Sequence, residues 1–179
     1  VLSHLAARGV RALGLEQFHP AHAFGSSHGQ SRVIRQAYFE HPDYVPLLRE
    51  AYAGWHALGD DLLQPTAVVL AGPAEGEVIA GSRRSAEEHG IPVRWHPAVD
   101  ACPELAAFAL PSHFAAVVEP GAGWLPVERC VLAMADAARA AGARLLDEVQ
   151  VLGWQATAGG VEVATTAGTV RGDRLVLAQ

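Results

Sequence analysis

Apolar positions recur at helical spacing in two long stretches. Leu48, Ala51, Tyr52, Trp55 and Leu58 keep the i, i+3, i+4, i+7 rhythm behind Pro42-Asp43 and predict a helix over about 44–58. Val127, Cys130, Val131, Met134 and Ala138 lie on one helical face and predict a second over about 127–141, ended by Gly142. A shorter helix opens the chain, with Val1, Leu2, Leu5 and Ala6 on one side and Arg8-Gly9 closing it. Residues 75–88 predict an exposed helix, stopped by Gly90 and Pro92. Apolar runs too short for helices predict strands over 10–16, 67–70, 115–118, 144–146, 150–155 and 161–165, and a buried strand over 174–178. Glu119-Pro120-Gly121, Gly159-Gly160 and Ala167-Gly168 supply turns. Residues 17–31 have no apolar period and predict a loop, while Pro97, Pro103 and Pro111 break residues 93–109 beyond any clear element.

Helix–strand–loop at the start and helix–strand–hairpin–strand at the end predict a layered α/β fold. The chain has 179 residues, half of them apolar and 18% charged, which fits a packed core. The net charge of -6 argues against nucleic acid or an anionic membrane as partner. No apolar run reaches membrane-spanning length, and the first residues lack the basic start of a secretory leader. Cys102 and Cys130 form no spaced pair, which argues against a disulfide framework or a zinc site and for a reducing, cytoplasmic setting. The first helix begins without an N-cap or an initiator Met, so further residues are expected upstream; nothing follows the last strand but Gln179.

Two places could carry chemistry. Glu16 ends a strand that follows a helix, where dinucleotide folds place the carboxylate that accepts ribose hydroxyls. By itself it reads more readily as a solvated charge. The stretch from Gly25 to Glu40 is the more informative. Its glycines and small hydroxyls let backbone N–H groups approach phosphate or ring oxygens. Arg32 and Arg35 can present planar donors to a carboxylate or a developing anion, and His28 can exchange protons near neutral pH. A polar loop with a solvated arginine pair is the plain alternative. His19, His41, His56, His89, His96 and His113 are scattered without metal-ligand spacing, and no metal is expected. Trp95, Trp124 and Trp154 read as packing residues, and no glycine-flanked serine elbow appears.

Leu15-Glu16-Gln17-Phe18, His22, Gly25-Ser26-Ser27-His28-Gly29, Arg32-Val33-Ile34-Arg35, Ala37-Tyr38 and Tyr44-Val45-Pro46-Leu47 follow one another in an order and spacing that resemble the amino-terminal signature of the sarcosine oxidase and N-methyltryptophan oxidase family. Trp55, Glu119-Pro120-x-Ala122-Gly123, Gly142-Ala143 and the segment Asp173 to Ala178 are also similar to it. The likeness is specific between Glu16 and Leu47 and loose between Pro65 and Ala115.

The resemblance implies a partial Rossmann-like FAD-binding domain of the glutathione-reductase type, with part of an α+β substrate domain. It implies an FAD-binding part over 1–60 lacking the first strand and glycine turn, a substrate-domain excursion over 61–118, and a return to the FAD-binding domain over 119–179. Glu16 would hold the adenosine ribose. Gln17, His22, Gly25, Ser26 and Ser27 would line the cofactor channel, and Val151 would meet the adenine through its backbone. His28 and Arg32 would stand beside the flavin ring, and Arg35 would pair with the substrate carboxylate, supported by Tyr38 and Glu40. The implied reaction oxidises a secondary amine of an N-methyl amino acid such as sarcosine, with molecular oxygen, to an imine and hydrogen peroxide. A related glycine or D-amino-acid oxidase and a non-catalytic nucleotide-binding module are the competing readings. All thirteen basic residues are arginines, so the lysine that the family directs at oxygen has no counterpart here. Neither cysteine matches the position that some members bond to the flavin. With the pyrophosphate turn and the remaining half of the family's site absent from this sequence, the 179 residues alone are expected to be inactive.

Overall fold

A computed structural model describes residues 1–178. Gln179 lies outside the described residues. In chain order the elements are α1 (Leu2–Ala7), β1 (Leu13–Leu15), β2 (Arg32–Ile34), α2 (Tyr44–Leu58), β3 (Gln64–Pro65), β4 (Val68–Pro73), α3 (Glu77–His89), β5 (Arg94–His96), β6 (Phe114–Glu119), β7 (Gly123–Leu125), α4 (Val127–Ala140), β8 (Arg144–Leu146), β9 (Val151–Thr157), β10 (Gly160–Thr165) and β11 (Gly168–Gly172). Two single turns of 3-10 helix, Val99–Ala101 and Pro103–Leu105, stand between β5 and β6. The mixed α/β class is the one expected. No helix is long and apolar enough to cross a membrane among the described residues. The chain divides into two compact units, one of residues 1–30 with 127–179 and one of residues 31–126.

In the first unit β1 and β8 run parallel, Leu13 beside Arg144 and Leu15 beside Leu146. A parallel pair needs a crossover connection, and its strands are covered by helices. Here α1 and α4 pack together through Ala6 and Ala138, with Ala143 and Leu2. The α4 face read from sequence is the inward one, with Val127, Cys130, Ala135 and Ala138 buried. Strands β9, β10 and β11 form an antiparallel meander with β10 in the middle. Val161, Val163 and Thr165 of β10 alternate inward. The strand β11 was not anticipated. The expected strand over 174–178 is not formed: a strand exists only through a hydrogen-bonded neighbour, and none pairs with these residues among those described. Nor is it buried, since Leu175, Val176 and Leu177 are exposed.

In the second unit β6 lies between β4 and β5, antiparallel to both. It is buried from Ala115 to Glu119 because both of its faces are covered. Ala115 and Val117 pack on Ile79 of α3, while Ala116 and Val118 pack on Val99 and Cys102 of the 3-10 turns. A strand covered on both sides reads as a continuous apolar run, which is why it was legible. The helix α3 corrects the expectation of an exposed helix. It buries Ile79, Gly81, Ser82, Ser85 and Ala86. This inward face is built mainly of small residues, so it carries no apolar stripe to read. Gly81 lets α3 approach the backbone of Phe39, where any Cβ would collide with the carbonyl oxygen. The region from 93 to 109 resolves into β5 and the two 3-10 turns. A small sheet, β2–β7–β3, completes the unit.

Candidate functional site

The predicted residues fall into two groups, one in each unit. In the first unit Glu16 follows directly on β1, at the carboxyl end of the parallel pair. Its N–H donates to the Leu146 carbonyl at 2.9 Å and its carbonyl accepts from Val149 at 2.9 Å, so its backbone is fixed from both sides. The side-chain oxygen Oε1 accepts the Phe18 N–H at 3.0 Å and lies 3.4 Å from His22 Nε2. Oε2 takes no hydrogen bond from the described residues. His22 accepts the Phe24 N–H at Nδ1 and packs edge-on against the Phe18 ring. Gln17, Phe18, His19, His22, Phe24 and Glu148 line an open groove of about 360 Å³. Residues 17–31 are the irregular loop expected, with Gly25, Ser26 and Ser27 exposed. His28 Nδ1–H donates to the Gly25 carbonyl, closing a small turn. Val151 starts β9, two residues beyond the Val149 that bonds Glu16.

In the second unit β2 pairs with β7, Arg32 opposite Leu125 and Ile34 opposite Gly123. Arg32 is exposed and donates from Nη1 to its neighbour Ser31 at 2.9 Å. Ile34 turns inward and Arg35 leaves the strand with its side chain only 14% exposed. Three neighbours hold the guanidinium. Nη1 donates to the Ala37 carbonyl at 2.9 Å, Nη2 lies 3.6 Å from Glu40 Oε1, and the group sits 4.3 Å from the Tyr38 ring centroid. The Phe39 ring is also near, at 5.2 Å. Arg35, Tyr38 and Glu40 are therefore gathered in one place. The fork has five N–H groups, and these contacts leave donors over for a carboxylate.

Sequence reasoning missed Glu119 as a site residue, reading it only as the start of a turn. It is 3% exposed, and its two oxygens accept the backbone N–H groups of Gln36 at 2.7 Å and Ala37 at 2.9 Å. The available signal was a carboxylate directly continuing the apolar run Ala115 to Val118, where the strand is still buried. Tyr52 was read as part of a helix face. Its hydroxyl is buried without a partner among the described residues, and burial, then the charge of Glu119, then Tyr38, raise its phenol far above the ordinary range.

His96 is not isolated, as it was expected to be. Together with Cys102 and Glu104 it places donor atoms within 4.8 Å of one another. Glu104 is already engaged, by Arg94 and by the Cys102 thiol at 3.3 Å.

The family model for FAD dependent oxidoreductases matches residues 2–179, and the chain belongs to that family. FAD is the cofactor that goes with it. The chain is 38% identical to a monomeric sarcosine oxidase of Streptomyces avermitilis, over 97% of this chain and 46% of that protein. It is 31% identical to an N-methyl-L-tryptophan oxidase of Yersinia pestis, over 94% of this chain and 47% of the other. It thus spans about half the length of the curated relatives it matches. In fold it resembles a point mutant of NikD, described as an unusual amino acid oxidase essential for nikkomycin biosynthesis. The TM-score there is 0.82, with 24% identity over 96% of this chain and 45% of that one. A glycine oxidase from Geobacillus kaustophilus gives a TM-score of 0.74 at 23% identity, over 97% and 50%.

The residues of the first unit fit the adenosine end of FAD. A partly exposed carboxylate with an uncommitted oxygen, at the carboxyl end of parallel strands, suits the two donors of a ribose diol.

Proposed function

We propose that the complete protein oxidises the secondary amine of an N-methyl amino acid, and that Arg35 receives its carboxylate. The observation that carries this reading is the Arg35 fork, largely buried, braced by Ala37, Tyr38 and Glu40, and not filled by them. A desolvated guanidinium so held favours a planar anion over water. Two relatives are named for N-methylated amino acids, and each such molecule has the carboxylate that this fork suits.

Held by these residues, FAD would supply a two-electron oxidation of the amine, with an imine open to hydrolysis as product and molecular oxygen, reduced to hydrogen peroxide, as the final electron acceptor. The chain's own residues bind and orient. In the first unit Glu16 accepts the ribose hydroxyls, Gln17, His22, Gly25, Ser26 and Ser27 line the cofactor's path, and Val151 offers its backbone to the adenine. His28 of that unit is assigned to the flavin side of the cofactor. In the second unit Arg32 is assigned to tuning the flavin by its fixed charge, while Tyr38 and Glu40 hold Arg35. The two buried free cysteines suit a reducing cytoplasm.

The test is steady-state peroxide production by the full-length flavoprotein with sarcosine and N-methyltryptophan, beside glycine and D-alanine. Arg35→Met is expected to raise KM roughly 10- to 100-fold, the worth of a hydrogen bond to a charged group. An unchanged KM refutes the role of Arg35. Faster turnover of the unmethylated amino acids would move the protein to another branch of the family.

A further inference from the structure

We propose that Glu119 is a positioning residue for Arg35: its carboxylate clamps the backbone at Gln36 and Ala37 and so fixes where the guanidinium stands. The inference rests on the reading that Arg35 receives the substrate carboxylate.

The geometry is a short relay through one residue. The N–H of Ala37 donates to Glu119 Oε2 at 2.9 Å, and the carbonyl of the same Ala37 accepts from Arg35 Nη1 at 2.9 Å. The N–H of Gln36 takes the other carboxylate oxygen at 2.7 Å. Both oxygens are thereby committed to consecutive peptide groups, immediately after the arginine they position. Any shift of residues 36 and 37 moves the carbonyl that orients the fork.

Burial makes the arrangement informative. Glu119 is 3% exposed, and it has no ion-pair partner among the described residues. Taking a carboxylate out of water without a cation is costly unless hydrogen bonds replace its hydration. A neutral side chain could end β6 at no such cost. Charge-assisted bonds to backbone N–H groups are about twice as strong as neutral ones, which suits a clamp. The base of the clamp is stiff. Glu119 lies opposite Val68 at the end of β6, on the same side of the strand as Ala115 and Val117, which pack on Ile79. Ala37 itself is buried against Val45, Ala86 and Ile91.

The test uses the full-length flavoprotein, with Glu119→Gln, Glu119→Asp, Arg35→Met and the double variant Glu119→Gln/Arg35→Met. Acetate is the carboxylate probe, followed by its perturbation of the flavin absorbance, beside KM and kcat for sarcosine. Glu119→Gln sets an amide N–H against one backbone N–H, and Glu119→Asp falls short of both. Each is expected to raise the acetate Kd and the KM about tenfold, the worth of one charge-assisted bond, with kcat changed far less. In the Arg35→Met background the Glu119→Gln change is expected to add nothing to the acetate Kd, because the group it positions is gone. Should Glu119→Gln not fold, the Asp variant carries the same comparison. Wild-type acetate binding in a folded Glu119 variant overturns the inference while leaving Arg35 in its role. An equal loss in both backgrounds also overturns it, since that marks a general structural effect. Wild-type binding in Arg35→Met removes the proposed function and this inference together.

Discussion

The guanidinium carbon of Arg35 lies 4.3 Å from the centroid of the Tyr38 ring, three residues further along the chain. The ring face attracts the cation and shields it from water on one side. Tyr38→Leu is expected to raise KM for the amine substrate by roughly 3- to 30-fold, matching about 0.5–2 kcal/mol for a partly buried cation–π contact. Tyr38→Phe keeps the ring and is expected to leave KM within about twofold. Equal effects from both substitutions would show that the hydroxyl, not the ring, matters.

Gly81→Ala tests the close approach of α3 to the Phe39 backbone. A Cβ there meets main-chain atoms that have no rotamer by which to escape. The expected loss is about 1–3 kcal/mol, read as a lower melting temperature. Gly54, in the middle of α2 with nothing within 4 Å of its would-be Cβ, is the control. Gly54→Ala is expected to stabilise by about 0.5–1 kcal/mol. Stabilisation by both would mean that the contact at Phe39 is slack.

Glu162 and Arg171 face each other across β10 and β11, Arg171 Nε donating to Glu162 Oε1 at 2.5 Å. The Arg171 side chain first, then that of Gln155, hold the Glu162 carboxyl below its ordinary range. A depressed carboxylate contributes stability that is present above its unfolded pKa and lost as pH falls through the folded value. Carbon-detected NMR titration is expected to give a midpoint below that of an ordinary glutamate, and Arg171→Ala to move it upward. A midpoint indifferent to Arg171 would remove the pair from the account.

Burial, then the bond to Glu104, raises the Cys102 thiol, and burial raises that of Cys130. Thiolate is the reactive form, so both are expected to resist iodoacetamide in the native protein at pH 7.5 and to react on unfolding. Peptide mapping after a brief exposure checks each position. Rapid native labelling of Cys102 would contradict the closed thiol–carboxylate contact.

The sequence revealed most where structure is local. The helices α2 and α4 each carry one apolar face and a defined end, and their limits were read to within a residue or so. Arg35, Tyr38 and Glu40 lie within six positions, so a single chain segment displays them together. The helix α3 misled because it buries serines and a glycine instead of an apolar stripe. The strand β7 was hidden in a glycine-rich turn, since it has only three residues and is made a strand by β2 and β3. Glu119 stayed invisible as a site residue for a related reason. The residues it holds lie 82 and 83 positions earlier, and pattern has no means of joining them.

The segment from Arg35 to Phe39 is gripped at successive points. Glu119 takes the N–H groups of 36 and 37, Ser85 donates to the Tyr38 carbonyl at 2.5 Å, and Gly81 lies against Phe39. A part so over-determined has no slack with which to adapt to a new molecule. In a directed-evolution experiment seeking other amines, accepted changes should therefore gather elsewhere. Random substitutions at 81, 85 or 119 should surface instead as poor binders.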